Sequence, residues 1–202
     1  MYGILIYDGV EPIDIGATYG VLSMAKRIAP DLEFAGVAKT AGNITCASGM
    51  RMSADYGIDD APEFADLIVT GGPGWVQASK DKATLDYIRT SSARLTSICT
   101  GAMILAAAGV LAGRNATTKY EVFDGETPPA DLLPGDVSKA HAAIVEDDGI
   151  LTGGGVTLGI DTMFHCLARS HGEEVARETA RVMEYTRALS ANCEALGYHL
   201  KT

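Results

Sequence analysis

Basic residues are scarce in this chain: 16 lysines and arginines stand against 26 aspartates and glutamates, a net charge of −10. A nucleic-acid-binding face or a surface for anionic membranes needs the opposite balance, so the composition argues against both partners. Long apolar runs are missing as well. No stretch of about 18 apolar residues occurs, so no membrane span is expected. The first residues already read as a strand with no basic leader before them, which places the expected location in the cytoplasm. Cysteine is limited to Cys46, Cys99, Cys166 and Cys193, with no close pair and no CxxC. The four histidines form no HxxxH or HExxH pattern. Neither a disulfide scaffold nor a structural metal is therefore expected. Neither GxGxxG nor GxxxxGK is present, which removes the dinucleotide and P-loop fingerprints.

What the chain does have is apolar residues at 47% and 23 glycines, many of them in short clusters. A length of 202 residues suits one compact domain, 1–202, and no linker or repeat interrupts it. Short apolar runs at 3–7, 32–38, 66–70 and 95–98 read as buried strands. Residues 44–54, with Ser48-Gly49 in the middle, read as a hairpin, and 143–146 with 150–152 as a strand pair. Helical spacing follows Pro12 (Ile13, Ala17, Val21, Met24, Ile28) and spans 82–92, 100–110 and the stretch after Gly153-Gly154-Gly155 to about His171. Gly172 introduces a last long helix with a stripe of Val175, Thr179, Val182 and Met183. Residues 124–136 carry three prolines and read as a loop or lid. Strands alternating with helices predict an α/β fold, a three-layer sandwich around a doubly wound, mostly parallel sheet. In such folds the site lies beyond the carboxyl ends of the strands. Three special turns follow strands here, at 71–74, 99–101 and 153–155.

Cys99 stands first among candidate catalytic residues. It follows the strand ending at Ile98 and precedes a helix opening near Thr100, a geometry that parallels the nucleophile elbow of serine hydrolases. The free N–H groups of a helix start favour a thiolate, so this thiol is expected to ionise more easily than an open one. The other reading of a lone cysteine is inert core, and Cys166, beside Leu167, is read that way. Gly71-Gly72-Pro73-Gly74 lets a backbone approach closely and offers N–H donors. Asp14, flanked by Ile13 and Ile15, reads as a partly buried acid; beside a thiolate its pKa would rise and it could shuttle a proton. Glu11 reads as a helix cap. Asp161 reads as a buried helical acid satisfied by backbone N–H groups. His141 and His165 read as structural histidines, and Thr117-Thr118-Lys119-Tyr120 as polar lining or a helix start.

Ser97-Ile98-Cys99-Thr100-Gly101-Ala102, Gly71-Gly72-Pro73-Gly74, Ala116-Thr117-Thr118, Ile13-Asp14-Ile15-Gly16 and the run Gly154 to Asp161 together resemble the ThiJ/PfpI family. That family lies in the parkinsonism-associated deglycase superfamily, with a class I glutamine amidotransferase-like, flavodoxin-like fold. The resemblance runs from residue 3 to about 185 and is nearest to isocyanide hydratases and the related effector domains of some transcription regulators. It implies Cys99 as nucleophile, Asp14 as its carboxylate partner, and Thr100 as the third catalytic position. Backbone donors at Gly72, Thr100 and Gly101 are implied too, with a homodimer. Gly71, Thr117, Thr118, Lys119 and Tyr120 would line a small-molecule substrate, with no cofactor and no metal needed. Thr100 stands where peptidase-type members carry histidine, which argues against a Cys-His protease. Lys119-Tyr120 replaces a frequent His-Trp, and Ala17 replaces a common proline. The implied activity is hydration of an isocyanide to an N-substituted formamide. The alternatives are glyoxalase or deglycase chemistry on small dicarbonyls, or an oxidant-sensing or ligand-binding module without catalysis. No helix-turn-helix pattern is seen, so a complete transcription regulator is not expected.

Overall fold

The computed structural model describes residues 1–201. Its strands are β1 (Tyr2–Leu5), β2 (Phe34–Ala38), β3 (Gly42–Thr45), β4 (Arg51–Ala54), β5 (Tyr56–Gly57), β6 (Asp66–Val69), β7 (Arg94–Ile98), β8 (Asn115–Ala116), β9 (Ser138–Lys139), β10 (Ile144–Asp147), β11 (Ile150–Gly153) and β12 (Tyr198–Lys201). Its helices are α1 (Pro12–Ile15), α2 (Val21–Lys26), α3 (Trp75–Ala78), α4 (Lys82–Thr90), α5 (Gly101–Ala107), α6 (Leu158–His171), α7 (Glu173–Val182) and α8 (Thr186–Leu196).

Eight strands form one sheet in the order β12-β10-β11-β7-β6-β1-β2-β5. The pairings from β5 through β11 are all parallel, and β10 is antiparallel to β11. Strand side chains alternate between two cores, as a two-residue period requires. Tyr2, Ile4, Ile6, Ile68 and Ile98 face one core, with Val21 and Leu22 of α2, Met163 and Leu167 of α6, and Ala176 and Ala180 of α7. Leu5, Leu67, Val69 and Leu95 face the other, with Ile88 of α4 and Ile104 and Leu105 of α5. The fold is thus the expected three-layer, flavodoxin-like α/β sandwich with a mostly parallel sheet. The hairpin read at 44–54 is β3 paired antiparallel with β4.

Four details depart from the sequence reading. The first helix is not continuous: a π-helical turn, Gly16–Gly20, separates α1 from α2. Thr18 is its cause, since its hydroxyl donates to the carbonyls of Asp14 (2.9 Å) and Ile15 (3.1 Å) and loosens the helical ladder. The helix after Gly172 is not the last; α8 and the edge strand β12 follow it. Its buried stripe is Ala176, Thr179 and Ala180, while Val182 is exposed, because alanines let α7 lie close on the core. Glu11 occupies the cap position of α1, yet its side chain bonds no backbone amide there.

The amino-end edge of the sheet is tied by charge. Asp66, buried at the start of β6, accepts from Arg94 (2.7 Å), Arg169 (2.9 Å) and Ser170 (3.0 Å). Arg169 also reaches Glu146 at 2.9 Å, and His165 bonds the same carboxylate at 2.8 Å. These pairs pin α6 across β6, β7 and β10. His165 is therefore the satisfied structural histidine expected from the sequence.

Candidate active site

At the opposite edge, the three special turns meet. The Cys99 N–H donates to the carbonyls of Gly153 (3.1 Å) and Gly154 (3.2 Å). Thr118 donates its hydroxyl to the Cys99 carbonyl at 2.8 Å. Held from both sides, Cys99 adopts a φ of 54°, the left-handed conformation of a sharp elbow. Gly101 then opens α5 at the closest approach of helix to strand: a Cβ there would lie 2.0 Å from the Val69 carbonyl oxygen. Glycine at this point lets the elbow turn directly into the helix over β6.

Asp14 reaches the elbow from the end of α1. Its side chain is completely buried, and one carboxyl oxygen accepts the Gly71 N–H at 2.7 Å. The other, Oδ1, has no hydrogen-bonding partner. Burial, then the charge of Glu11, overcome the Gly71 bond and push its pKa up to about 7. Glu11 thus acts on the site by charge rather than as a cap.

Cys99 is 3% exposed. Burial pushes its thiol up to about 12, the Asp14 charge adds to this, and the Thr100 amide and Lys119 pull only partly back. The expectation of an easily ionised thiol is corrected on this point. Loss of water around the sulfur outweighs the few amides of a helix start. The resting pair is a neutral thiol beside an acid that keeps its proton to near neutrality.

The remaining predicted residues fall in distinct places. Thr100 follows the elbow: its amide draws the thiol's pKa down, and its hydroxyl accepts the Gly72 N–H at 2.9 Å. The amides of Gly71 and Gly72 are thus occupied, one by Asp14 and one by Thr100, and they hold those two side chains in place. Thr117 is wholly buried, its hydroxyl on the Ala142 carbonyl (2.9 Å) and its amide on Thr152 (3.0 Å). Lys119 lies across Gly155 from the sulfur; a Cβ on Gly155 would stand 2.9 Å from Cys99 Sγ and 3.0 Å from Lys119 Cβ. Gly155 also lines a cavity of about 290 Å³, together with Thr118, Tyr120, His141, Leu158 and Leu196. His141 is exposed rather than core, and its ring lies 4.3 Å from that of Tyr120.

In the sequence Tyr7 reads only as the end of the first strand, with no sign of a role at the site. Its hydroxyl donates to the Thr70 carbonyl at 2.9 Å, and burial with the charges of Asp14 and Cys99 raises its pKa. Its one signal was position, two residues past β1 at the carboxyl edge. Asp161 is buried as expected, but its partners are side chains from the end of the chain, not backbone amides: Tyr185 (2.9 Å), Asn192 (3.0 Å) and Tyr198 (3.1 Å). Cys46 and Cys166 are buried, Cys193 is exposed, and all four cysteines are free. Among the described residues, no cluster of His, Cys, Asp and Glu could hold a metal ion, and no helix is long and apolar enough to cross a membrane.

A cysteine on a left-handed strand-to-helix elbow, with a buried acid beside it, within a glutamine amidotransferase-like sandwich, defines a class of cysteine-centred α/β proteins. Within that class the chain belongs to the DJ-1/PfpI family, whose model matches residues 3–169. It is similar to an isonitrile hydratase from Pseudomonas putida, 31% identical over 92% of this chain and 78% of that protein. The transcriptional regulator GbdR of Pseudomonas aeruginosa is 25% identical over 92% of this chain, which spans 50% of the regulator. Among solved structures, a THiJ/PfpI family protein from Pseudomonas syringae superposes with a TM-score of 0.77 at 26% identity, over 92% of this chain and 74% of that one. Drosophila melanogaster DJ-1beta superposes with the same TM-score, 0.77, at 18% identity over 91% and 96%, a likeness of fold.

Proposed function

We propose that this protein is a cysteine-dependent hydratase that converts an isocyanide to an N-substituted formamide. The observation that carries the reading is the buried, unpartnered Oδ1 of Asp14, whose charge acts on the Cys99 thiol, on a carboxyl that keeps its proton to about pH 7. Hydration of an isocyanide needs a nucleophile and an acid at one carbon, and this pair supplies both.

The sulfur adds to the terminal isocyanide carbon. Asp14 delivers its proton to that carbon and receives the thiol's own. A C–S and a C–H bond form, and the product is a thioimidate. Water then adds to the same carbon, and Asp14 passes a proton on to the nitrogen. The C–S bond breaks, the sulfur regains a proton, and the formamide leaves. One isocyanide and one water are consumed; nothing is oxidised or reduced. The Thr100 amide stabilises charge on the sulfur as it leaves. The substrate lies in the cavity beyond Gly155, under Lys119 and Tyr120. The working location is the cytoplasm and the working form a homodimer; Ile13, 51% exposed and next to Asp14, offers an apolar contact for a second copy, and light scattering tests this.

Similarity to regulators favours one other reading, a small-molecule-binding module. The test is turnover of an aryl isocyanide, with methylglyoxal in parallel. Wild-type protein should form the formamide, Cys99→Ala should abolish it, and Asp14→Asn should slow it by about a hundredfold or more. Isocyanide turnover that survives Cys99→Ala overturns the reading; methylglyoxal turnover alone transfers the site to dicarbonyl chemistry.

A further inference from the structure

The cavity lined by Gly155, the glycine packed against the Cys99 sulfur, is lined in part by α8, beyond the residues that the family model matches. Leu196, the last residue of α8, lines it together with Gly155. No residue of α8 is fully buried, so apolar packing is not its main anchor. A polar clamp serves instead. Asp161 of α6 is fully buried, and its carboxylate is satisfied by Tyr185, Asn192 and Tyr198, which flank or belong to α8. A buried carboxylate stripped of such donors is costly, so the segment stays where all three reach it.

The main chain extends this frame to the sulfur. Gly197, with a φ of 75°, turns the chain out of α8. Its carbonyl accepts the Ala143 N–H (3.1 Å), the Ala143 carbonyl accepts the Gly154 N–H (2.9 Å), and the Gly154 carbonyl accepts the Cys99 N–H (3.2 Å). Gly197, the neighbour of Leu196, and Cys99 are therefore held in one hydrogen-bonded chain, and Leu196 and Gly154 along it line the cavity.

Building on the hydratase reading, we propose that Leu196 sets the longest nitrogen substituent the site accepts, and that Asp161, through Tyr185, Asn192 and Tyr198, is the positioning residue that fixes where this wall stands. A leucine side chain in the wall of a small cavity discriminates by size, since one methylene in such a place changes rates by about tenfold or more. Asp161 touches no reacting atom; it acts by placing α8.

Two ratios test this with the full-length protein. The first is kcat/KM for a long against a short isocyanide, 4-biphenylyl against cyclohexyl. The second is the rate of Cys99 alkylation by N-phenyl iodoacetamide against iodoacetamide, followed by the mass of the Cys99 peptide, which needs no turnover. Leu196→Ala should raise both ratios about tenfold and Leu196→Phe should lower them, while Leu196→Met should keep them near wild type. Tyr198→Phe removes one clamp donor without changing shape, and it should move the ratios in the direction of Leu196→Ala. Alkylation ratios unchanged in both Leu196→Ala and Leu196→Phe overturn the wall. A shift in Leu196→Ala with none in Tyr198→Phe overturns the positioning role. A shifted alkylation ratio in a protein that turns over no isocyanide supports the wall and rejects the hydratase reading separately.

Discussion

Replacing Asp14 by asparagine isolates the protonation that the site depends on. The substitution keeps the shape, and the amide oxygen can still accept the Gly71 N–H that Oδ2 accepts at 2.7 Å. What it removes is titration. In the unfolded chain this carboxyl loses its proton near its ordinary value of 3.8, whereas the folded protein holds it to about 7. Between those values the folded state binds more protons than the unfolded one, so stability falls as pH rises. The stabilisation is fully present below about pH 4, drains away up to about pH 7, and is flat above. The whole span is worth about 4 kcal/mol, and the part between pH 5 and 8 about 3 kcal/mol. Urea unfolding of wild type and Asp14→Asn at pH 5, 6, 7 and 8 measures it, since other titrating groups cancel in the difference. Wild type should lose about 3 kcal/mol relative to the variant across that range. Parallel stability curves would refute the claim that Asp14 is a proton-holding acid, and with it the division of labour at the site.

Three further outcomes are expected. Gly155→Ala should fold, because its obstacles are the Cys99 sulfur and the Lys119 stem rather than backbone, yet it should slow both turnover and iodoacetamide labelling of Cys99 by about tenfold or more, read by peptide mass. Arg169→Met leaves the buried Asp66 and half-buried Glu146 short of a partner and should cost about 3 kcal/mol in urea unfolding, with Cys99 labelling kept once corrected for stability. Thr118→Val frees the Cys99 carbonyl and should cost about 1 kcal/mol, with a larger proportional loss in kcat than in KM because the elbow is less firmly held.

Much of the scaffold was legible because buried strands announce themselves as short apolar runs: Ile68 and Val69, or Leu95 and Ile98, leave no other assignment beside their glycine turns. Cys99 was legible because Ile98, Thr100 and Gly101 together spell a strand, a turn and a close-packed helix. Asp14 was legible from its two isoleucine neighbours, although Ile13 faces outward and only Ile15 is buried. Other features arise from contacts distant in sequence. Tyr7 reads as strand, and its role comes from Thr70, Asp14 and Cys99, none adjacent to it. Asp161 finds its donors 24 to 37 residues further on, in a polar segment with no strong periodicity. The thiol's pKa depends on how much water the assembled turns exclude, and no local pattern encodes that quantity.

The most direct test of the central claim is to mix wild-type protein with an aryl isocyanide and follow intact mass and formamide release in a single turnover. A species heavier by one isocyanide, mapped to the Cys99 peptide and decaying as formamide is released, is the predicted result. Formamide released with no adduct on Cys99, at a rate that Cys99→Ala shares, would contradict it.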